Sequence, residues 1–272
     1  MTKPIVFIDS GIGGLPYCKD FMEKNPHEEI IFTADRQNFP YGPRSKEEIA
    51  RILISLTEKI IKIFEPKIII LACNTATVSA LEPLRGSFPY IPFVGTVPAL
   101  KPAAKASKTG KAGLLGTERT IEDPYNQKII NSMDTACEII AIAAPDLVEF
   151  TEHRLENAES EEKEKIVKKY IDIFREKGAD TLVLGCTHFL HLLDEFRREA
   201  SVPPSLKIFD SMDGITKRIE FLLDENGGEL RTNNEEINLS HILVITGSEP
   251  PDSKWIFRAK ALGFKLSLLC DF

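Results

Sequence analysis

Two cysteines each stand directly after a run of apolar residues. The runs are Ile69-Ile70-Leu71-Ala72-Cys73-Asn74-Thr75 and Leu182-Val183-Leu184-Gly185-Cys186-Thr187-His188. Each run reads as a buried strand, and the polar residues behind it read as the turn into a helix. A thiol at such a junction meets free backbone N–H groups and the positive end of a helix dipole. Both favour the thiolate, the form that works as base or nucleophile. Asn74, Thr75 and Thr187 can hydrogen-bond a carboxylate, and His188 can orient or protonate Cys186. The alternative is a pair of buried core cysteines, and the matched polar neighbours argue against it. Cys18, Cys137 and Cys270 lack such neighbours and read as structural.

Asp9 and Ser10 close another apolar run and lead into Gly11-Ile12-Gly13-Gly14. A glycine-rich turn after a strand lets backbone N–H groups approach an anion. The spacing is not G-x-G-x-x-G, and no acid follows where a ribose contact would need one, so a dinucleotide site is not expected. Asp9 can act as a base or hold an ammonium group, or it can cap the next helix. Phe39-Pro40-Tyr41-Gly42-Pro43-Arg44-Ser45 has strong turn chemistry and fits either a ligand-binding loop or a structural turn. Cys186, His188 and His191 form a C-x-H-x-x-H string with no obvious fourth ligand, so no metal is expected. His27, His153 and His241 sit in polar contexts and read as surface residues.

The elements that must position these groups alternate between strand and helix. Strands are predicted at Ile5–Asp9, Ile30–Ala34, Lys67–Ala72, Phe93–Gly95, Ala112–Gly116, Glu138–Ala143, Thr181–Gly185, Leu206–Phe209 and Ile242–Thr246. Most are continuously apolar, as parallel strands covered on both faces are, so the fold class is α/β with mostly parallel sheets. A helix is predicted over Ser45–Leu56, opened by a capping box of Ser45 and Glu48, and a solvated surface helix over Ser160–Lys177. There is a faint internal repeat. Asp9-Ser10-Gly11 and Gly116-Thr117-Glu118 each close a strand, and each is followed later by a strand ending in cysteine. Two similar halves would each present one thiol at the C-terminal end of a strand, where open α/β sheets bind ligands.

The bulk numbers bound the rest. The 272 residues allow two domains, and 43% apolar with 28% charged residues is ordinary for a globular chain. A net charge of −7 without a basic stretch does not suggest nucleic acid. No apolar run is long enough for a membrane span, and no signal sequence precedes the first strand, so a cytoplasmic protein is expected. Five scattered cysteines are then free thiols rather than a disulfide framework.

Taken together, these motifs resemble those of bacterial glutamate racemases, in the same order. They are Asp9-Ser10-Gly11-Ile12-Gly13-Gly14, Pro40-Tyr41-Gly42, Ala72-Cys73-Asn74-Thr75-Ala76 and Gly185-Cys186-Thr187-His188-Phe189. Val94–Pro102 and Asp210-Ser211 are similar to family segments too, and the likeness runs to about residue 220. The resemblance implies two pseudo-symmetric three-layer α/β domains with the active site in the cleft between them. Residues 1–98 and 210–272 would form one domain and 99–209 the other. It implies no cofactor, no metal, a homodimer, and a role in supplying D-glutamate for peptidoglycan. Cys73 and Cys186 would be the acid/base pair, assisted by Asp9 and His188 respectively. Asp9, Ser10, Tyr41, Gly42, Asn74, Thr75, Thr187 and His188 would bind L- or D-glutamate. Glu152 matches a family glutamate near the second cysteine. Its surroundings depart from the family pattern, with Ala144-Pro145 where Cys-Pro is usual, and Glu149 and Leu190 where prolines are common. Relatives controlled by a cell-wall precursor tend to carry an N-terminal extension, so that control is not expected here.

Other readings stay open at this point. They are an aspartate racemase with a different side-chain pocket, a binding protein of the same fold without catalysis, and a thiol hydrolase using a single Cys–His pair.

Overall fold

The computed structural model describes residues 3–124, 129, 131–132, 137–228, 230–232 and 240–269. In chain order the first elements are β1 (Ile5–Asp9), α1 (Leu15–Lys24), β2 (Ile30–Ala34), α2 (Lys46–Phe64), β3 (Ile68–Leu71), α3 (Asn74–Ser87) and β4 (Phe93–Gly95). Next come α4 (Leu100–Ala106), β5 (Lys111–Gly116), α5 (Glu118–Glu122), β6 (Glu138–Ala143), α6 (Pro145–His153) and α7 (Ser160–Glu176). They are followed by β7 (Thr181–Leu184), α8 (Leu193–Ser201) and β8 (Lys207–Phe209). The chain closes with α9 (Met212–Gly228), β9 (Ile242–Thr246), α10 (Ser253–Ala261) and β10 (Lys265–Leu269).

The chain forms two compact units, Met1–Thr96 with Met212–Phe272, and Val97–Ser211. The first holds a six-stranded sheet in the order β10-β9-β2-β1-β3-β4, the second a four-stranded sheet in the order β6-β5-β7-β8. Every pairing is parallel. This is the α/β architecture the apolar runs predict. It follows from strands such as Ile5–Asp9 and Ile68–Leu71, which are buried at every position and need cover on both faces.

The repeat is explicit in the topology. The order β2-β1-β3-β4 in one sheet is the order β6-β5-β7-β8 in the other, element for element. In each, the chain runs from the first strand to a neighbour on one side and then crosses to the other side. That crossing is a topological switch point, flanked by the C-terminal ends of β1 and β3 in one unit and of β5 and β7 in the other.

Helices follow their apolar spacing. α2 buries Ile49, Leu53, Leu56 and Ile60, and Ser45 Oγ accepts the Glu48 N–H at 3.1 Å. The reciprocal half of the expected capping box is absent, because the Glu48 carboxylate turns to Arg44. The helix also runs past Leu56 to Phe64, since its apolar stripe continues, and ends where Glu65 turns left-handed at φ 48°. α7 is the surface helix expected, solvated on its charged face and burying Val167, Tyr170, Ile171 and Phe174 on the other.

β10 was not predicted: Lys-Leu-Ser-Leu-Leu lacks β-branched residues and lies at a sheet edge. His27 and His153 are exposed, but His241 is half-buried, its Nδ1 accepting the Ile30 N–H at 3.3 Å, and burial pushes its pKa down. Cys18 is fully buried in α1 and Cys137 half-buried; burial raises both thiols, as core cysteines require. Cys270 lies outside the described residues.

Candidate active site

In the first unit the site grows from the ends of β1, β2 and β3. Cys73 follows β3 in an extended conformation (φ −144°, ψ 120°) as the N-cap of α3, and its carbonyl receives the Thr77 N–H at 2.9 Å. Asn74 and Thr75 form the buried first turn of that helix. Asp9, the last residue of β1, is fully buried. Its Oδ1 accepts the Ser10 hydroxyl at 3.2 Å and the Gly11 N–H at 3.0 Å. It does not cap α1, whose N-cap is Gly14 without a side-chain bond. Gly14 has a packing reason: a Cβ there would come within 2.6 Å of Ala72 Cβ and 2.8 Å of Ala72 O. Only glycine lets the turn after β1 lie against the residue preceding Cys73.

Tyr41 is buried in the same apolar cluster as Cys73. Its hydroxyl donates to Asp35 Oδ2 at 2.6 Å rather than pointing into solvent. Burial pushes its pKa well above 10, reinforced by the charge and hydrogen bond of Asp35 and by Cys73 and Asp9 nearby. Gly42 follows on a half-exposed stretch, with nothing within 4 Å of a would-be Cβ.

In the second unit a cysteine again follows a strand end, with different neighbours. Cys186 follows β7 and Gly185, again extended (φ −134°, ψ 135°), and opens a 3-10 turn over Thr187–Leu192. Gly185 donates to Leu115 O at 2.7 Å, and a Cβ there would come within 2.7 Å of Leu114 and 2.9 Å of Leu115 O. His188 Nδ1 lies 3.9 Å from Cys186 Sγ, and its Nε2 lies 2.9 Å from Glu152 Oε2. All three residues are buried, as is Thr187. Burial opposes a charge on His188. The hydrogen bonds to Cys186 and Glu152, with their negative charges, outweigh it and hold His188 well above its ordinary 6.5.

Helical spacing decides which glutamate of α6 enters this group. Glu149 is exposed, while Glu152 is buried with Leu147, Phe150 and Thr151. Pro145 opens α6 at its first turn, and Asp146 is held there by Lys169 Nζ at 2.8 Å and by the Tyr170 hydroxyl. Leu190 is buried in the turn after His188.

The structure thus brings Asp9, Ser10, Cys73, Asn74, Thr75 and Tyr41 to neighbouring strand ends of one sheet. It brings Cys186, Thr187, His188 and Glu152 together in the other unit. Among the described residues no group of three or more His, Cys, Asp and Glu side chains is arranged to hold a metal, and no helix is long and apolar enough to cross a membrane. Sequence reasoning missed Asp35, a second buried acid at a strand's end, directly after β2. The signal that drew attention to Asp9 was present there too.

Comparison with known proteins identifies the family. The model of the Asp/Glu/hydantoin racemase family matches residues 20–218. A glutamate racemase from Brucella ovis is 33% identical over 267 residues, covering 97% of this chain and 93% of that protein. Among solved structures, Escherichia coli glutamate racemase in complex with L-glutamate and the activator UDP-MurNAc-Ala superposes with a TM-score of 0.85. It is 27% identical, and the match covers 98% of both chains. A Bacillus anthracis glutamate racemase isoform gives 0.81 at 30% identity, covering 99% of this chain and 97% of that one. With both thiols at equivalent positions of a repeated α/β topology, and relatives matched along nearly their whole length, the chain belongs to the Asp/Glu/hydantoin racemase family.

Proposed function

We propose that this protein is a glutamate racemase that interconverts L- and D-glutamate with two thiols and no pyridoxal phosphate or metal. The observation that carries the reading is the repeated topology, in which each sheet presents one buried cysteine at its own switch point. Racemisation removes the Cα proton from one face and returns a proton to the other. Two groups of opposite protonation state do this without either having to move across the substrate.

Cys186 as thiolate takes the Cα proton of L-glutamate. Cys73 as thiol then protonates the carbanion from the opposite face to give D-glutamate, and the reverse reaction starts with Cys73 as thiolate. The His188 side chain lies 3.9 Å from Cys186 Sγ and assists it in proton transfer. Glu152 holds the His188 ring. Asp9 assists Cys73 on the other side. Ser10, the Tyr41-Gly42 stretch, Asn74, Thr75 and Thr187 bind the substrate's carboxylates and ammonium group. Fixed donors in water-poor surroundings are what a weakly acidic Cα–H needs, since carbanion charge must be met without solvent. The product is D-glutamate for peptidoglycan, made in the cytoplasm by a homodimer.

The test is circular dichroism of L-glutamate with pure protein in deuterated water, with chelator and without added cofactor. Loss of signal together with deuterium at Cα is expected. If both glutamate enantiomers stay inert while L-aspartate is racemised, the substrate is aspartate. If all three stay inert, the chain binds without catalysing. The pH–rate profile should be bell-shaped, since one thiol must be ionised and the other not; a flat profile from about pH 6 to 10 would remove the two-thiol scheme.

A further inference from the structure

Asp35 is the most heavily engaged carboxylate near Cys73 that the scheme above leaves unused. It is 1% exposed and directly follows β2. It occupies the N-cap position of the 3-10 turn Arg36–Asn38, yet its side chain makes no cap bond there. The carboxylate instead gathers three side chains. Oδ2 accepts the Tyr41 hydroxyl at 2.6 Å, Oδ1 accepts the Thr246 hydroxyl at 2.7 Å, and Asn38 Nδ2 lies 3.1 Å and 3.0 Å from Oδ1 and Oδ2. Its backbone N–H donates to Asp9 O at 2.8 Å. One residue therefore joins the end of β1, the loop carrying Tyr41 and Gly42, and the end of β9.

The Tyr41 ring anchors the loop in the core, but the loop's polar flank is open. Asp35, Gln37, Asn38 and Arg44 line a cavity of about 480 Å³ against α2, open rather than filled by core. On that flank directed hydrogen bonds set where the Tyr41 hydroxyl and the polar side of the loop lie, and those accepted by a buried carboxylate are the strong kind. The bond to Tyr41 has a second effect. It directs the phenolic proton of Tyr41, which is packed in the same cluster as Cys73, toward Asp35.

We infer that Asp35 is a positioning residue for the racemase reaction: by holding the Tyr41 hydroxyl it fixes the Tyr41-Gly42 stretch for substrate binding. The inference rests on the glutamate racemase reading. Its failure is separable, because the unaltered protein must first racemise glutamate; if it does not, that reading falls, and if it does, the variants speak to Asp35 alone.

Three variants make the test, each assayed in both directions alongside a thermal melt. Asp35→Ala should raise KM for both enantiomers about tenfold or more while kcat falls less than about threefold, the size expected for losing a charge-assisted hydrogen bond used in binding. Asp35→Asn keeps both the shape and an acceptor for Tyr41 and should recover most of the affinity; Tyr41→Phe separates the hydrogen bond from the shape. Tyr41→Phe keeps Asp35 and removes only the hydroxyl. It should raise KM in the same way, and it decides the matter should Asp35→Ala fail to fold. Because the enantiomers have equal free energy, kcat/KM must stay equal in the two directions for every variant, which checks the data. An unchanged KM in folded Asp35→Ala or in Tyr41→Phe, or a loss confined to kcat, would overturn the inference. So would an Asp35→Asn variant no better than Asp35→Ala.

Discussion

The two thiols are placed alike but supported differently. Cys73 shares its surroundings with the buried carboxylates of Asp9 and Asp35, whereas Cys186 has a histidine backed by Glu152. Replacing either cysteine with alanine should leave no proton relay, so Cys73→Ala and Cys186→Ala should each lower racemisation by about 10³-fold or more. Substantial turnover by either variant, followed by polarimetry, would refute the pairing. Glu152→Gln isolates the helper. It removes one of the partners that keep His188 charged, so the His188 titration, followed by NMR, should move toward lower pH; no movement would mean that Glu152 does not set that charge. The same shift has a stability consequence. A histidine whose pKa is raised by folding binds its proton more tightly in the native state. Its contribution is therefore full below about pH 6.5 and is lost as pH rises through the elevated native value.

At the scale of elements, the strand ends do the positioning and the glycines beside them allow it. Gly185→Ala would drive a methyl group into Leu114 and the Leu115 carbonyl. It should destabilise the protein by about 1–3 kcal/mol, read from denaturant unfolding. Gly214 in α9 is the contrast: it is exposed, nothing lies within 4 Å of its would-be Cβ, and Gly214→Ala should stabilise by about 0.5–1 kcal/mol. Equal effects from the two substitutions would dismiss the packing account. The elements also show what a sequence reading reaches. Cys73 and Cys186 were legible because a continuous apolar run marks its own end, and the polar residue beyond it is then at the sheet's C-terminal edge. Asp35 was not, because its meaning depends on Thr246, 211 residues away, and on the direction of one tyrosine hydroxyl. The pairing of Glu152 with His188 lies between the two cases. The resemblance pointed to Glu152, but only the turn of α6 shows it buried while Glu149 faces solvent.

Over the whole molecule, the first unit is completed by sequence from both ends of the chain. Lys67, just before β3, is 5% exposed and pairs with Glu28, itself 3% exposed. Its Nζ also donates to Leu230 O at 2.6 Å and Thr232 Oγ1 at 3.1 Å, while the Thr232 N–H donates to Glu28 at 3.2 Å. This polar knot ties the returning C-terminal segment to the early strands. Lys67→Met would strand a buried carboxylate and should cost about 3–5 kcal/mol, measured by chemical denaturation. A loss under about 1 kcal/mol would show that the knot contributes little. The discontinuity of that unit also sets an order of events during synthesis. When the ribosome has emitted residue 211, every strand of the second sheet exists, but β2 still lacks the neighbour it meets through Ile31 and Ile242. Until β9 emerges, one side of β2 is an unpaired strand edge, the kind of surface on which nascent chains associate. A chain stopped at Ser211 therefore carries every strand of the second sheet but an open edge in the first, and β9 serves the nascent protein as the cover for that edge.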